Sequence, residues 1–308
     1  MQNAKPLFQV EVPGKWILAG EHAVLRGSEA LVFPLESKHL KLIYYASAKA
    51  LKISIHEQKK QELEVIIWSV LERAFKLLKI DRSQISGTLE MHSSIVLGGG
   101  MGASATLCVA LTEWLNYLGY VKPAEMFTFA RDLENLFHGE SSGVDVAVTL
   151  NRKPLVFTRE HGFSELLLKT KKNLYLSYSG ERGVTKDCIE KVKTFSLIHP
   201  EIAKAIDSQM IEAVSELKDL LSEVGQNNPS VKSSHSKWIA AIKKSNQCFE
   251  QWGLITDVVR EHQKILTESG ALAVKLTGSG GGGYVLSLWE SSPPSSLPFE
   301  MIACFNEK

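Results

Sequence analysis

The chain has 308 residues, of which 44% are hydrophobic, 8% aromatic and 22% charged. At roughly 150 residues per domain this length suggests two domains, and the apolar share suffices for a real core. Lys and Arg number 35 against 34 Asp and Glu, a formal charge of +1, which argues against a nucleic-acid groove and against disorder as the main state.

Residues 8–55 alternate apolar and polar positions (FQVEV, EALVFPL, HLKLIYY, LKISI) and predict several antiparallel strands, with turns at Pro13-Gly14 and Arg26-Gly27. From 59 to 79 the period changes. Leu63, Ile66, Ile67, Val70, Leu71, Ala74 and Leu78 make one apolar helical stripe. A strand is expected at 88–97, then a glycine cluster, then a helix with Leu107, Cys108, Leu111, Trp114, Leu115 and Leu118 on one face. Pro123 suits the first turn of a helix running to about Phe137. Gly139-Glu140-Ser141-Ser142 breaks that helix and caps the next, which carries Asp145. Strands near 154–158 and 173–179 lead into a helical stretch at about 184–269, in which SEVGQNNPSVKSSHS (222–236) reads as a loop. The chain ends in strand (ALAVKL), glycine run, strand (YVLSLW), a Pro/Ser linker and a last strand (EMIACF).

Cys108, Cys188, Cys248 and Cys304 lie dozens of residues apart without a C-x-x-C pair. They read as neither a disulfide framework nor a zinc site and fit a reducing compartment. MQNAKPLFQVEVPGK lacks the charged-then-apolar pattern of a signal peptide, and no uncharged apolar run approaches the ~20 residues of a membrane span. The expected location is the cytoplasm.

Three segments can carry chemistry. In GGGMGAS (98–104), between strand and helix, backbone N–H groups can converge on an anion at the positive end of the helix dipole. No Gly-Lys-Ser/Thr follows, so it is not a Walker loop, and no second strand ends in an acid about 20 residues on, as a dinucleotide site needs. A plain tight turn is the competing reading. GSGGGG (278–283) precedes a strand rather than a helix, so its G-x-G-x-x-G also fails as a dinucleotide fingerprint. So many glycines are costly to order; either a ligand or another chain segment lies close, or the run is a simple hairpin loop. PGKWILAGEHAV (13–24) offers Lys15, Glu21 and His22 within eight residues, each by itself compatible with a solvated turn.

In order and spacing, PGKWILAGEHAVLRG, GGGMGASATLCVAL and KLTGSGGGGYVLSL resemble the three motifs of the GHMP small-molecule kinases, the group of galactokinase and of homoserine, mevalonate and phosphomevalonate kinases. ENLFHGESSGVDVAV (134–148) is similar to the mevalonate kinase signature. The resemblance implies an α/β fold (two-layer α+β) of two domains, an ATP-binding one at 1–168 and a second at 169–308, with the active site in the cleft between them. It implies ATP and Mg²⁺ as cofactors and mevalonate, a small molecule, as substrate; nucleic acid and membrane are not expected partners. Such kinases are often dimers, which leaves a homodimer open.

The resemblance also assigns roles. Gly98, Gly99, Gly100, Gly102, Ala103, Ser104 and Ala105 would cradle the nucleotide phosphates, and Ser104 and Glu134 would hold magnesium, which prefers few protein oxygens. Asp145 would face the substrate hydroxyl, with Lys15 as its catalytic partner. Glu21, His22, Ser142, Arg159 and Thr185 would line the substrate, and Gly278, Ser279 and Gly280 form motif three. Independently of family, Ala130 and Phe137 share a helical face with Glu134, so its carboxylate wants a partner. Ser142 is equally suited to capping a helix, and Asp145 to the positive end of one. The Asp145-Val146 pair is more like phosphomevalonate kinases, whose substrate phosphate Arg182 and Lys186 could grip. A non-catalytic sensor of this fold usually lacks catalytic residues, whereas Lys15, Ser104, Glu134 and Asp145 are all present.

Overall fold

Alternation at the amino end resolves into two long strands, β1 (Phe8–Ala19) and β2 (Ala30–Ala50), in a computed structural model that describes residues 5–55, 60–95, 99–139, 141–223 and 231–305. β1 runs straight through Pro13-Gly14, so the turn expected there does not form. Proline's fixed φ suits extended backbone, and one missing amide donor does not stop a strand. The second expected turn is present: a single 3₁₀ turn at Ala23–Arg26 ends on Gly27 in the left-handed region.

By packing, the chain separates into two units that interleave in sequence. One comprises residues 1–14, 38–96 and 102–152; the other comprises 15–37, 97–101 and 153–308. This division crosses the chain several times, so one cut near residue 168 does not describe it. Residues 15–37 and 153–168 pack with the C-terminal part.

In the first unit, β3 (Lys52–Ile55) pairs in parallel with β4 (Ser86–Ser93), and β4 pairs antiparallel with the second half of β2 (Leu40↔Ser93 to Tyr45↔Thr88). The apolar stripe of 59–79 becomes α1 (Lys60–Leu78), with Val70, Leu71 and Ala74 buried. α2 (Ala103–Tyr117), α3 (Met126–His138) and α4 (Val144–Asn151) pack on one another. Pro123 opens a 3₁₀ turn ahead of α3. One core joins these layers: Leu42, Leu89, Leu111, Trp114, Leu133 and Val146 are among its fully buried members. At about 1.5–3 kcal/mol per large apolar side chain buried, it is the principal stabilisation of this unit.

In the second unit, the first half of β2 pairs with β5 (Leu155–Thr158), and β5 with β6 (Gly162–Glu165), a short hairpin strand that the sequence pattern did not predict. A separate antiparallel sheet has the order β10-β7-β9-β8, from β7 (Asn173–Tyr178), β8 (Ala273–Leu276), β9 (Tyr284–Trp289) and β10 (Ile302–Ala303). All six residues of β9 are buried, as its nearly unbroken apolar run requires. Its hydroxyl Ser287 is satisfied by the Tyr175 carbonyl and the Trp289 indole N–H. α5 (Thr185–Ile198), α6 (Pro200–Ser222), α7 (Val231–Gln251) and α8 (Asp257–Glu268) complete the unit, with α6 against α7 and α7 against β8. The loop expected at 222–236 is shorter at its far end, because 231–236 are already helical; 224–230 lie outside the described residues. No helix among the described residues is long and apolar enough to cross a membrane.

Candidate active site

Motifs one, two and three meet through backbone and side-chain hydrogen bonds inside the second unit. The Lys15 amide, halfway along β1, donates to the Met101 carbonyl at 3.0 Å. Thr277, just past β8, clasps β1: its Oγ1 accepts from the Ile17 amide at 3.0 Å and donates to the Ile17 carbonyl at 2.9 Å. His22 Nε2 lies 2.8 Å from the Ser279 carbonyl. A carbonyl only accepts, so Nε2 carries the proton in this bond, and Nδ1 is left as a buried lone pair without a partner among the described residues. Burial pushes the His22 pKa down from 6.5 to about 4, which keeps the ring neutral near pH 7.

The two glycine runs abut in this unit. Residues 278–283 form the hairpin loop between β8 and β9, and the bare backbone there is used for close approach. A Cβ on Gly283 would stand 2.7 Å from the Gly99 carbonyl, and one on Gly282 would stand 2.8 Å from the Glu181 carbonyl. Gly278 lies against Gly100. The alternative of a neighbouring chain segment is therefore realised on this side of the loop. Ser279 Oγ donates to Thr185 Oγ1 at 3.1 Å, which joins Thr185, the first residue of α5, to motif three. Arg159 sits exposed in the turn between β5 and β6. Gly98 lies outside the described residues.

The first unit holds the remaining candidates. Gly102, in the left-handed region, precedes α2 and offers no side chain to cap it, so the first amides of the helix, at Ala103, Ser104 and Ala105, receive no N-cap side-chain acceptor. Glu134 on α3 is 1% exposed, so its carboxylate is withdrawn from solvent. Ser104 Oγ donates to its Oε1 at 3.4 Å, and Ser141 Oγ to its Oε2. Ser141 also takes the Gly143 amide at 3.0 Å, which sets the approach to α4. Ser142 Oγ accepts from the Val144 amide at 3.3 Å, but the N-cap of α4 is Gly143, with no side-chain cap, so Ser142 stands one residue short of the capping position; Asp145 follows in the first turn of α4. Burial, with the Glu134 charge as a second contribution, holds the Cys108 thiol well above its ordinary pKa.

Sequence reasoning missed Ser141 and Lys275. Ser141 lies in the signature-like block 134–148 and in the stretch that breaks α3, and neither reading gives it a role of its own. Lys275, fully buried on β8, places Nζ 2.6 Å from Glu21 Oε1. A lysine at an inward position of a strand that is otherwise apolar (ALAVKL) was the available signal, since a buried charge needs a partner.

Residues 66–153 match the family described as GHMP kinases N terminal domain. A mevalonate kinase of Thermococcus onnurineus is 26% identical over 298 residues, spanning 90% of this chain and 87% of its own. Among solved structures, L. major mevalonate kinase in complex with R-mevalonate superposes with a TM-score of 0.76 at 22% identity, over 94% of this chain and 91% of its own. Methanococcus jannaschii mevalonate kinase gives 0.73 at 17% identity, over 92% and 90%. Over most of its length the chain is similar in sequence to mevalonate kinases, and its fold is that of the solved structures named above.

Proposed function

We propose that the protein transfers the γ-phosphoryl group of ATP to the primary hydroxyl of mevalonate, giving 5-phosphomevalonate. The observation that carries this reading is the interlocking of Lys15 with Met101, Ile17 with Thr277 and His22 with Ser279, because it assembles three remote sequence segments around facing glycine runs.

Phosphoryl transfer needs a phosphate cradle, a divalent cation, an oriented acceptor hydroxyl and positive charge near the moving group. The amides of Gly99, Gly100, Gly102 and the first turn of α2 suit the cradle, since backbone N–H groups at a helix start bind anions without a lysine-bearing loop. Ser104 and Glu134 suit magnesium. They offer a hydroxyl and a carboxylate as hard oxygen donors, with one Glu134 oxygen directed at Ser104 and the other fixed by Ser141. That ion, when bound, would neutralise charge on the transferring phosphate oxygens. In this reading Asp145 orients the acceptor hydroxyl and takes its proton as the new O–P bond forms, while Lys15 supplies positive charge. Glu21, His22, Ser142, Arg159 and Thr185 form the acceptor side. His22, neutral and with Nδ1 bare, would receive a hydrogen bond rather than donate one. A cytoplasmic location belongs to the same reading and is supported by Cys108, Cys188, Cys248 and Cys304 all being free and buried.

ADP release measured in parallel with mevalonate, phosphomevalonate, homoserine and galactose, with ATP and Mg²⁺, tests the assignment. Mevalonate is expected to give the highest rate by a clear margin. A best rate with phosphomevalonate would move the assignment to that kinase, and ADP release with none of the four would remove it.

A further inference from the structure

Lys275 is fully buried, and its ammonium is engaged not in the site but by the segment that carries the acceptor-side residues. Its Nζ is 2.6 Å from Glu21 Oε1 and 3.5 Å from the Ile17 carbonyl, with the Phe249 ring 5.3 Å away. Glu21 is itself 2% exposed, and its Oε2 has no hydrogen-bond partner among the described residues. A buried ion pair is a poor device for stability alone, because well-packed apolar side chains of similar volume serve as well or better.

The neighbour of this pair is strained. His22 has φ +59°, in a region that non-glycine residues rarely occupy. Such a conformation persists only where the surroundings over-determine it, and it concentrates at functional sites. Residues 275–279 supply that determination at alternate positions: Lys275 on Glu21, Thr277 on Ile17, and the Ser279 carbonyl on the His22 ring. Trp252 and Phe249 wall the imidazole edge-on at 5.3 and 6.1 Å between centroids.

We infer that Lys275 is a positioning residue for phosphoryl transfer: through Glu21 it fixes His22 in its positive-φ backbone conformation against Ser279, and so sets the geometry of the acceptor-alcohol subsite. This rests on the kinase reading above. It makes a demand that a merely structural ion pair does not. Neutralising the pair must weaken the acceptor and leave the nucleotide untouched.

The test is the paired variant Glu21→Gln/Lys275→Met, which removes both charges at nearly constant volume, with Lys275→Arg as the variant that keeps a cation but displaces it. Folding is read by circular dichroism and ATP binding by calorimetry. Steady-state kinetics then give KM for mevalonate and for ATP separately. Both variants are expected to fold and bind ATP as the parent does, with the acceptor KM raised by about tenfold in the paired variant, the loss of roughly one charge-assisted hydrogen bond. An unchanged acceptor KM in a folded variant, or equal shifts of both KM values, overturns the inference. So does failure of both variants to fold, which would assign the pair to the framework alone. If the unmodified protein releases ADP with none of the alcohols, the kinase reading fails instead, and the two failures are distinguishable.

Discussion

Glu134 shows how the carboxylate proposed to hold magnesium is placed. Its helix buries it among Ala130 and Leu133, and its two oxygens are claimed by hydroxyls from different segments, Ser104 and Ser141. Ser141→Ala removes only the outer support. It is expected to raise the magnesium concentration for half-maximal rate by about tenfold, leaving the rate at saturating magnesium nearly intact; a magnesium titration of both proteins checks this, and superimposable curves would dismiss the role. In the proposed mechanism Asp145 takes part in the chemistry itself. Asp145→Asn and Asp145→Ala are each expected to lower turnover by at least ~100-fold while calorimetry still detects ATP binding, and near-normal turnover in either would remove Asp145 from the mechanism.

Among the elements, the hairpin loop between β8 and β9 is most tightly specified by its neighbours. Gly283→Ala adds a methyl 2.7 Å from the Gly99 carbonyl at φ +87°, so the backbone must move, at a cost of about 1–3 kcal/mol. Because Gly99 is in the proposed cradle, the ATP KM is expected to rise along with a lower melting midpoint. Gly162→Ala is the control. Its φ of +78° is also left-handed but nothing lies within 4 Å, so ATP KM should not move. Equal ATP KM values in the two variants would show that the loop does not shape the nucleotide site. Where side-chain period alone decided the outcome, the elements were legible: α1 (Lys60–Leu78) and β9 (Tyr284–Trp289) lie where the apolar pattern puts them. The errors fell where tertiary partners decide. β1 continues through Pro13-Gly14 because its buried residues from Val12 to Ala19 bind it to the sheets. β6 is a short, largely exposed strand whose order comes from its pairing with β5. The polar stretch 231–236 is helical as the start of α7, whose later residues Trp238, Ala241 and Ile242 are buried.

Across the molecule, the motifs were legible because glycine runs and clustered charges stand out in a linear sequence, whereas Lys275 and Ser141 acquire meaning only from partners more than 250 residues away, in the case of Glu21, or seven residues away, in the case of Glu134. The interleaved units could not be read at all, since apolar pattern does not say which half of β2 packs with which core. Stability should reflect the buried imidazoles. His22 and His262 both have pKa values pushed by burial from 6.5 to about 4; His262 is held by Ser177 at 2.8 Å. Between these values the unfolded chain binds protons that the folded one does not, so this contribution to stability is complete above about pH 6.5 and is lost progressively as pH falls toward 4. The melting midpoint is expected to drop across that range, and His262→Gln to reduce the drop; parallel curves for the two proteins would contradict it.

The most direct test is where the phosphoryl group goes. Phosphorus NMR of the product formed from ATP, Mg²⁺ and mevalonate should show one phosphomonoester coupled to the methylene protons beside the primary alcohol oxygen, in amounts equal to the ADP released. ADP accompanied by free phosphate, or a phosphoester at another oxygen, would contradict the assignment of an alcohol kinase acting at that hydroxyl.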